Sequence, residues 1–456
     1  ATINNQGTAT NFGATGSASW VTTVKTSTFT AVAGEGYFVN TTGGAVTVNL
    51  PAGTAGAVVA VKDYANTFDT NACTLDLNGS DKIGGSTENP VLNTEGIAVT
   101  LVYVDSTQGW LVTDDGLQSS TPPPVAYVTA TGGTITTSPC GDFKIHKFTG
   151  PGTFCVSAVG NPAGSDAVEY IVVGGGASGG GGYYGAGAGA GGFRFASPTL
   201  APLTYPAKPL AAPAGLPVSV TGYPITVGAG GASQPSMCNQ GNDGSNSIFS
   251  TLTAAGGGGG GHWGNSAPTT PTRPGRPGGS GGGAGSNNSP GVANPGATSG
   301  GTGNTPPVSP PQGNNGGGGC TSAASGPNST APSGGGGGAT AAGSNFTPGP
   351  GGPGVGGAGG AGAGVPNAFG TSGVNCGSNY YFAGGGGGAG SCNAGNTGGL
   401  GGGGKGGRYA SPLPASNYSD GGTVNTGGGG GGMITPAPAS GSGGSGIVII
   451  RYKFQN

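Results

Sequence analysis

Uninterrupted runs of glycine constrain this chain more than any other feature. They cover Gly256–Gly261, Gly316–Gly319, Gly334–Gly338, Gly384–Gly388 and Gly427–Gly432. Glycine loses more backbone entropy on ordering than any other residue, and it has no side chain to bury. Such runs therefore either stay disordered or pack backbone against backbone. In the second case they form extended helices of three residues per turn that bond N–H to C=O between neighbours.

Composition favours the packed state. Gly and Pro make up 112 and 36 of the 456 residues, a level typical of disordered chains. Disorder normally comes with high charge, but only 6% of the residues are charged. A neutral stretch of this kind would be poorly soluble as a coil, so we expect a compact body. No strict Gly-X-Y register persists, which excludes collagen, and silk-like stacking is supported only by the alternation at residues 185–191.

Residues 1–116 read as an all-β domain. Short segments rich in β-branched and aromatic residues alternate with Gly, Asn, Asp and Pro, and no helical periodicity is present. The predicted strands are 21–32, 36–41, 45–50, 56–63, 74–77, 97–104 and 110–113. Residues 117–125 (LQSSTPPPV) form a linker that is stiffened by proline.

The remainder reads as a glycine-rich body held by strands. Residues 126–173 are a β segment leading into the body, residues 174–445 are the body with its surface loops, and residues 446–456 are a closing strand. We expect the strands from both ends of this region to form a small sheet that anchors the body. The predicted fold class is an all-β N-terminal domain plus a body of packed polyglycine or polyproline II helices, edged by that sheet, with essentially no α-helix.

The sequence carries little that enzyme or metal chemistry needs. The segment GLGGGGKG at Gly399–Gly406 has phosphate-loop spacing, but Gly406 stands where a Ser or Thr should hold magnesium. The acidic residues of the body are scattered, whereas glycosidases need two facing carboxylates. Seven cysteines without a CxxC motif and two histidines do not predict a metal site. We predict no enzyme activity, no cofactor and no metal.

Charge and hydropathy exclude two classes of partner. Residues 1–115 hold ten acidic and three basic residues, and the remainder holds five acidic and ten basic residues. This difference favours two domains of different character. No Lys/Arg cluster approaches the density needed to neutralise nucleic-acid phosphates, and no apolar stretch is long enough to span a membrane. We therefore expect neither nucleic-acid binding nor membrane insertion.

Several segments resemble bacteriophage fibre proteins. FTAVAGEGYFVNTTGGAVTVNLPAG at Phe29–Gly53 and VTLVYVDSTQGWLVT at Val99–Thr113 resemble a β-domain of tail-fibre and virion proteins of marine phages, notably those that infect cyanobacteria. FKIHKFTGPGTFCV at Phe143–Val156 and GGSGIVIIRYKF at Gly443–Phe454 resemble the glycine-rich domain that ends many phage fibre proteins. The body is similar in style to the tip adhesins of T-even-type phages, which stack polyglycine II helices and expose loops to host receptors.

The resemblance implies a phage fibre protein that is a host-receptor-binding adhesin or a distal tail-fibre segment. It further implies assembly in the host cytoplasm, a place in the virion, a homotrimer, and two partners: other virion proteins, and a host-surface glycan or outer-membrane protein. One alternative is a purely structural or decorating virion protein, such as a head fibre. Another is a self-assembling extracellular glycine-rich filament protein, against which the lack of a readable secretion signal weighs.

Bulky residues beside the runs are the candidate receptor contacts. They either cap the run ends or present flat, amphipathic surface to a ligand. If run ends alternate between two faces of the body, each cluster lies at a tip. The candidates are Tyr183, Tyr184, His262, Trp263, Arg273, Arg276, Tyr380 and Tyr381.

Two cysteines are the candidate disulfide. Cys376 and Cys392 bracket the run Gly384–Gly388, so a run folding between them could bring them to neighbouring ends of the body. Assembly in a reducing cytoplasm favours free thiols instead.

Overall fold

The computed structural model divides the chain into two compact units, Ala1–Pro124 (unit 1) and Val125–Asn456 (unit 2). The structure describes residues 2–3, 9–10, 18–117, 125–161, 164–200, 204–235, 239–262, 274–286, 298–320, 332–349, 352–390, 397–408, 415–435 and 437–455.

Unit 1 is built from short strands, as the sequence predicts. Its strands are β1 (Thr2–Ile3), β2 (Ala9–Thr10), β3 (Ser19–Lys25), β4 (Phe29–Thr30), β5 (Glu35–Val39), β6 (Val46–Asn49), β7 (Val58–Asp63), β8 (Cys73–Asp76), β9 (Val91–Leu92), β10 (Ile97–Asp105) and β11 (Gly109–Leu117). A five-stranded sheet has the order β11-β10-β7-β5-β3, a four-stranded sheet has the order β4-β6-β8-β9, and β1 pairs only with β2.

The strands of unit 1 stack as rungs. β3, β5 and β7 pair in parallel, as do β4, β6 and β8, so each successive pair of strands adds one layer to both sheets. β10 and β11 complete the first sheet in antiparallel fashion, and β9 completes the second. The core lies between the sheets and follows their alternation: Val46 and Val48 point inward, whereas Thr47 and Asn49 are half-exposed.

Unit 2 combines strands with the glycine-rich body. Its strands are β12 (Thr129–Thr131), β13 (Thr134–Thr137), β14 (Phe143–Phe148), β15 (Gly152–Ala158), β16 (Ala167–Val173), β17 (Phe193–Ala196), β18 (Ala211–Ala212), β19 (Leu216–Pro217), β20 (Gly222–Thr226), β21 (Ser247–Phe249), β22 (Leu252–Ala254), β23 (Thr347–Gly349), β24 (Gly352–Val355), β25 (Ala363–Pro366), β26 (Val374–Cys376), β27 (Asn379–Phe382) and β28 (Ile447–Lys453). Helical structure among the described residues is confined to the 3-10 turns Pro198–Leu200, Lys208–Leu210, Asn367–Phe369 and Ala415–Asn417.

The predicted anchoring sheet is present. The last strand, β28, pairs antiparallel with β14 on one side and β16 on the other. The sheet they form runs β13-β14-β28-β16-β17-β18, with β19 also on β16. A second sheet, β12-β15-β20-β21-β22, belongs to the same unit. Strands from the two sequence ends of unit 2 therefore close on each other.

Hydrogen bonds within the body repeat every three residues. The central run comprises residues 185–192. Amides that are three residues apart in this run donate to the same neighbouring run. The N···O distances are 2.7 to 3.1 Å. The three sets of bonds, written from donor to acceptor, are Gly185 to Met433, Ala188 to Gly430 and Gly191 to Gly427; Ala186 to Gly261, Gly189 to Gly258 and Gly192 to Ala255; and Gly187 to Gly334 and Ala190 to Gly337. Three residues per turn is the repeat of polyproline II and polyglycine II. The predicted packing of such helices is confirmed.

The central run is surrounded on all sides. Its amides donate to runs 427–433, 255–261 and 334–337, and its carbonyls accept from runs 174–180, 280–283 and 386–389. Glycine is required because neighbouring backbones fill the space of a side chain. A Cβ on Gly189 would lie 2.1 Å from the carbonyl oxygen of Ser280, far inside van der Waals contact. The body is thus held by backbone hydrogen bonds, with few side chains involved.

A buried ion pair joins the closing strand to the sheet. Arg451 Nη1 donates to the Glu169 carboxylate, and both side chains are at most 5% exposed. The same carboxylate accepts from the amide and hydroxyl of Thr199, and the guanidinium lies 3.7 Å from the ring centroid of Phe143. Burial lowers the pKa of Arg451, and the Glu169 carboxylate opposes that shift.

We expect Arg451→Met to destabilise unit 2 by about 3–5 kcal/mol, because it leaves the Glu169 carboxylate buried without its cation. Adding Glu169→Gln should recover at least half of the loss, since the neutral amide oxygen still accepts from Thr199. Urea unfolding at neutral pH measures both. A loss below about 1 kcal/mol for Arg451→Met would mean that the ion pair does not hold the strand.

Candidate binding surface at the far end of the glycine body

The runs of unit 2 end at two opposite levels. At one level, Gly174 follows β16, Gly192 precedes β17 and Ala255 follows β22; we call this the sheet end. The other level lies beyond Gly185, at the opposite end of the central run, and we call it the far end. At the rise of a polyproline II helix, the central run separates the two levels by about 25 Å.

Hydrogen bonds place many run ends side by side at the far end. Gly185 N donates to Met433 O, Ala186 N donates to Gly261 O, and Gly185 O accepts from Ala389 N. Further bonds link the ends in a chain: Thr298 Oγ1 to Gly285 O, Cys320 N to Pro332 O, Ser333 N to Ala389 O, Gly390 N to Gly407 O and Arg408 N to Asn417 O. The far end is therefore where several connections between runs begin and finish.

The sequences of these connections have a common character. Residues 263–273, 287–297, 321–331, 391–396 and 409–414 lie outside the described residues, and each follows or precedes a run end at the far end. They are rich in Ser, Thr, Asn and Pro, and the one charged residue among them is Arg273. Such side chains supply hydrogen-bonding groups without ion pairs.

An apolar cluster covers part of the far end. Tyr184 packs with Ala389, Ile434 and Ala437, and the half-buried Tyr418 lies against them. Tyr184 is only 9% exposed, which favours the alternative in which its ring caps the run ends. Tyr183, the next residue in the chain, is 43% exposed and remains a candidate contact. Sequence reasoning missed Ile434 and Ala437, although MITPAPA after the last glycine run is an apolar signal.

The other far-end candidate is His262. It directly follows run 255–261 and is half-buried. Trp263 and Arg273 lie outside the described residues. Their positions in sequence, directly after His262 and just before the run that resumes at residue 274, keep both as predictions.

Arg276 lies on the flank of the body and is already engaged. Its guanidinium is 3.2 Å from an Asp243 carboxylate oxygen and 3.2 Å from Gln240 Oε1. Asp243 also accepts from the amide of Gly259 at 2.8 Å, so the pair fastens two neighbouring runs. Both charged side chains are close to half exposed, and such pairs contribute little stability. Sequence reasoning did not identify either partner of Arg276.

Tyr380 and Tyr381 lie at the opposite end of the body from Tyr183 and His262. Both lie on β27, which follows the 3-10 turn Asn367–Phe369 at the sheet end. Tyr380 packs against the core cluster that contains Phe382 and Phe369, and the Tyr381 ring covers Gly364. They therefore lie at the end of the body opposite to His262, because the run 383–390 leads away from them to the far end.

One of the two cysteines of the predicted disulfide lies outside the described residues. Cys376 is an exposed, free thiol on β26, at the sheet end. Cys392 lies outside the described residues, directly after the far end of run 383–390. The run therefore carries the chain away from Cys376 and does not fold back toward it.

Within the described ranges, no group of three or more His, Cys, Asp or Glu side chains could hold a metal ion. No helix in that part of the chain has the length and hydropathy to cross a membrane.

Comparison with protein families identifies a glycine-rich domain in this chain. A family model described as a glycine-rich domain matches residues 149–356 and again residues 308–453, which together are most of the chain. No match to a curated protein was found.

Proposed function

The chain belongs to the glycine-rich domain family, and we propose that it is a bacteriophage fibre protein whose far end binds the surface of the host cell. Unit 1 attaches the protein to the virion or to the preceding fibre segment. The partner at the far end is a glycan or an outer-membrane protein loop. The protein is a virion component, and it performs no catalysis.

The observation that carries the proposal is the position of the sheets and of the connections between runs in unit 2. The two larger sheets of unit 2 lie at the sheet end, whereas several connections between runs lie at the far end. Backbone hydrogen bonds hold the runs in place, and we infer that the connections serve recognition. Binding residues commonly lie on loops that a rigid scaffold positions.

The chemistry at the far end suits an uncharged, hydroxyl-rich surface. Tyr183 offers an exposed aromatic ring, which can stack on a sugar or an apolar side chain. The connections add hydroxyl and amide groups, and Arg273 adds one planar cation. Each contact is weak, and several fibres acting at once raise the overall affinity.

We expect Tyr183→Ala to weaken binding to host cells about 2- to 10-fold per site, the range that a lost aromatic contact supports. The matched control is Tyr64→Ala, because Tyr64 is an exposed tyrosine, 57% accessible, in unit 1. Fluorescently labelled full-length protein is titrated onto a panel of marine cyanobacteria, the hosts of the phages that the sequence resembles.

Equal binding by Tyr183→Ala, Tyr64→Ala and unmodified protein would remove Tyr183 from the site. The double change Trp263→Ala with Arg273→Ala then tests the neighbouring connection. If no cell of the panel binds the unmodified protein, while antibody to it decorates virions, the chain is a structural virion fibre and the receptor role is abandoned.

A further inference from the structure

His146 lies where the two larger sheets of unit 2 meet. Its strand, β14, belongs to the anchoring sheet, its side chain is completely buried, and its ring centroid is 5.1 Å from that of Phe154 on β15 of the second sheet. The chain crosses from the second sheet to the anchoring sheet between β12 and β13, at residues 132–133, which we call the crossing. A Cβ on Gly132 would lie 2.0 Å from the carbonyl oxygen of Thr153, so the crossing is packed closely against β15.

Both ring nitrogens of His146 have a partner. Nδ1 is 2.7 Å from the carbonyl oxygen of Gly132, which can only accept, so Nδ1 carries the proton. Nε2 is 3.2 Å from the Tyr452 hydroxyl of β28 and accepts from it. The Tyr452 oxygen in turn accepts from the amide of Ala130 in β12, at 3.2 Å. A neutral imidazole therefore joins β12, the crossing, β14 and β28 in one network of hydrogen bonds.

Among the described residues of the elements packed against it, no carboxylate faces the imidazole. β12 and β13 hold no titratable side chain, and the thiol of Cys155 on β15 is exposed. Alternate residues of a strand face opposite sides of a sheet, so the ion pair of Glu169 and Arg451 lies on the other side. The titratable side chains on the side of the imidazole are Lys144, Tyr170 and Tyr452 of the anchoring sheet and Tyr223 of the second sheet. None of these is an anion near neutral pH.

A proton on the free nitrogen of the imidazole is therefore costly in the folded state. Nε2 would become a donor, and the Tyr452 hydroxyl would have to turn its hydrogen to the carbonyl oxygen of Ala130, 3.4 Å away. The new charge would be buried without an anion. Burial accordingly lowers the pKa of His146; the bond to Gly132 opposes that shift, and the Lys144 charge adds to it.

We propose that His146 is an acid-sensitive link between the two sheets: when its imidazole is protonated, β12 and the crossing separate from β14 and β28. The strand after the crossing, β13, is an edge strand whose four side chains are all exposed, so its pairing with β14 is its main attachment. Its release leaves the edge of β14 unpaired, and an unpaired edge can accept another strand. This inference does not depend on the host-binding proposal.

The test follows the melting temperature of unit 2 in the full-length protein by calorimetry between pH 7.5 and pH 5.5, above the usual range of carboxylate pKa values. The unfolded chain binds the His146 proton near pH 6.5 and the folded chain only at lower pH, so stability falls as the pH drops through this window. We expect the unmodified protein to lose about 2–4 °C. His146→Gln should melt lower at pH 7.5 and lose nothing further on acidification. The control His262→Gln, which removes the other histidine of the chain, should keep the loss.

Two measurements on the folded protein decide the matter if His146→Gln does not fold. The 13Cε1 NMR signal of His146, assigned by its persistence in His262→Gln, should titrate below pH 6.5. At pH 5.5, hydrogen exchange corrected for intrinsic rates should be faster than at pH 7.5 in β12 and β13, but not in β22 at the opposite edge of the second sheet. The proposal is overturned by an imidazole that titrates at or above pH 6.5, by unchanged exchange in β12 and β13, or by a loss of melting temperature that is absent from the unmodified protein or persists in His146→Gln.

Discussion

Replacing Gly386 by valine should lower the melting temperature of unit 2 by at least about 8 °C, the shift that a loss of about 4 kcal/mol gives in a large domain. A Cβ at this position would lie 2.0 Å from the carbonyl oxygen of Gly430. The amide of Gly386 donates to Ala188 and its carbonyl accepts from Gly336, both at 2.8 Å. The neighbouring runs can make room only by breaking such bonds, so the cost exceeds that of ordinary overpacking.

The matched control is Gly150→Val in the same unit. Gly150 has no heavy atom within 4 Å of the Cβ position, and it needs no left-handed conformation. Differential scanning calorimetry of the two variants separates the loss of packing from the general effect of adding a valine. Equal melting temperatures for Gly386→Val and Gly150→Val would show that the runs are not packed backbone to backbone at Gly386.

The packing of the runs could be predicted because it follows from local chemistry. A neutral, glycine-rich segment must satisfy its N–H and C=O groups, and bonding between extended helices does so without side chains. The strands rich in β-branched residues could be predicted for a similar reason. The segment IVIIRYK, for example, is β-branched and apolar, and it forms β28 at Ile447–Lys453. In contrast, β23 to β27, within a region expected to hold little sheet, were not predicted.

The neighbour of each run could not be predicted, because glycine carries no side-chain pattern that distinguishes one direction from another. The chain reverses between Arg276 and Gly283. Arg276 and Gly279 donate to Gly259 and Gly256, so the first part runs antiparallel to 255–261. Gly258 and Gly261 donate to Ser280 and Gly283, so the second part runs parallel to it. Only Gly and Ser mark the turn at residues 278–280.

Reversals of this kind decide the end of the body at which each candidate residue lies. The sequence did not specify whether Tyr380 and Tyr381 lie at the same end as His262. Further turns within glycine-rich sequence, such as that at residues 400–402, change the end at which the next run begins. The parallel pairing of the strands in unit 1 could not be predicted either, because strand composition does not specify which strands pair. Long-range topology is decided by register and packing between distant segments.

Deleting residues 447–456 should abolish the folding of unit 2. β28 lies between β14 and β16, and it contributes Ile447, Val448, Ile449 and Ile450, each at most 1% exposed. Burying each such side chain is worth about 1.5–3 kcal/mol, so four of them contribute about 6–12 kcal/mol. That sum is comparable with the entire stability of a typical domain. The ion pair between Arg451 and Glu169, 282 residues apart, is lost as well.

The truncation also tests whether the glycine-rich body folds without the anchoring sheet. Gly446 and the runs that begin at residues 174 and 255 all emerge from strands at the sheet end, so the sheet fixes where those runs start. Without β28, the facing edges of β14 and β16 are left unpaired. The sheet then no longer fixes the starting positions of the runs relative to one another. The control deletes only Gln455 and Asn456, which leaves every residue of β28 in place.

Calorimetry and limited proteolysis should show a single remaining transition, that of unit 1, whose core contains no residue of β28. A truncated chain that kept a protease-resistant body, melting within a few degrees of the control, would mean that backbone bonding between the runs is sufficient by itself. The sheet would then guide the entry of the runs without stabilising them.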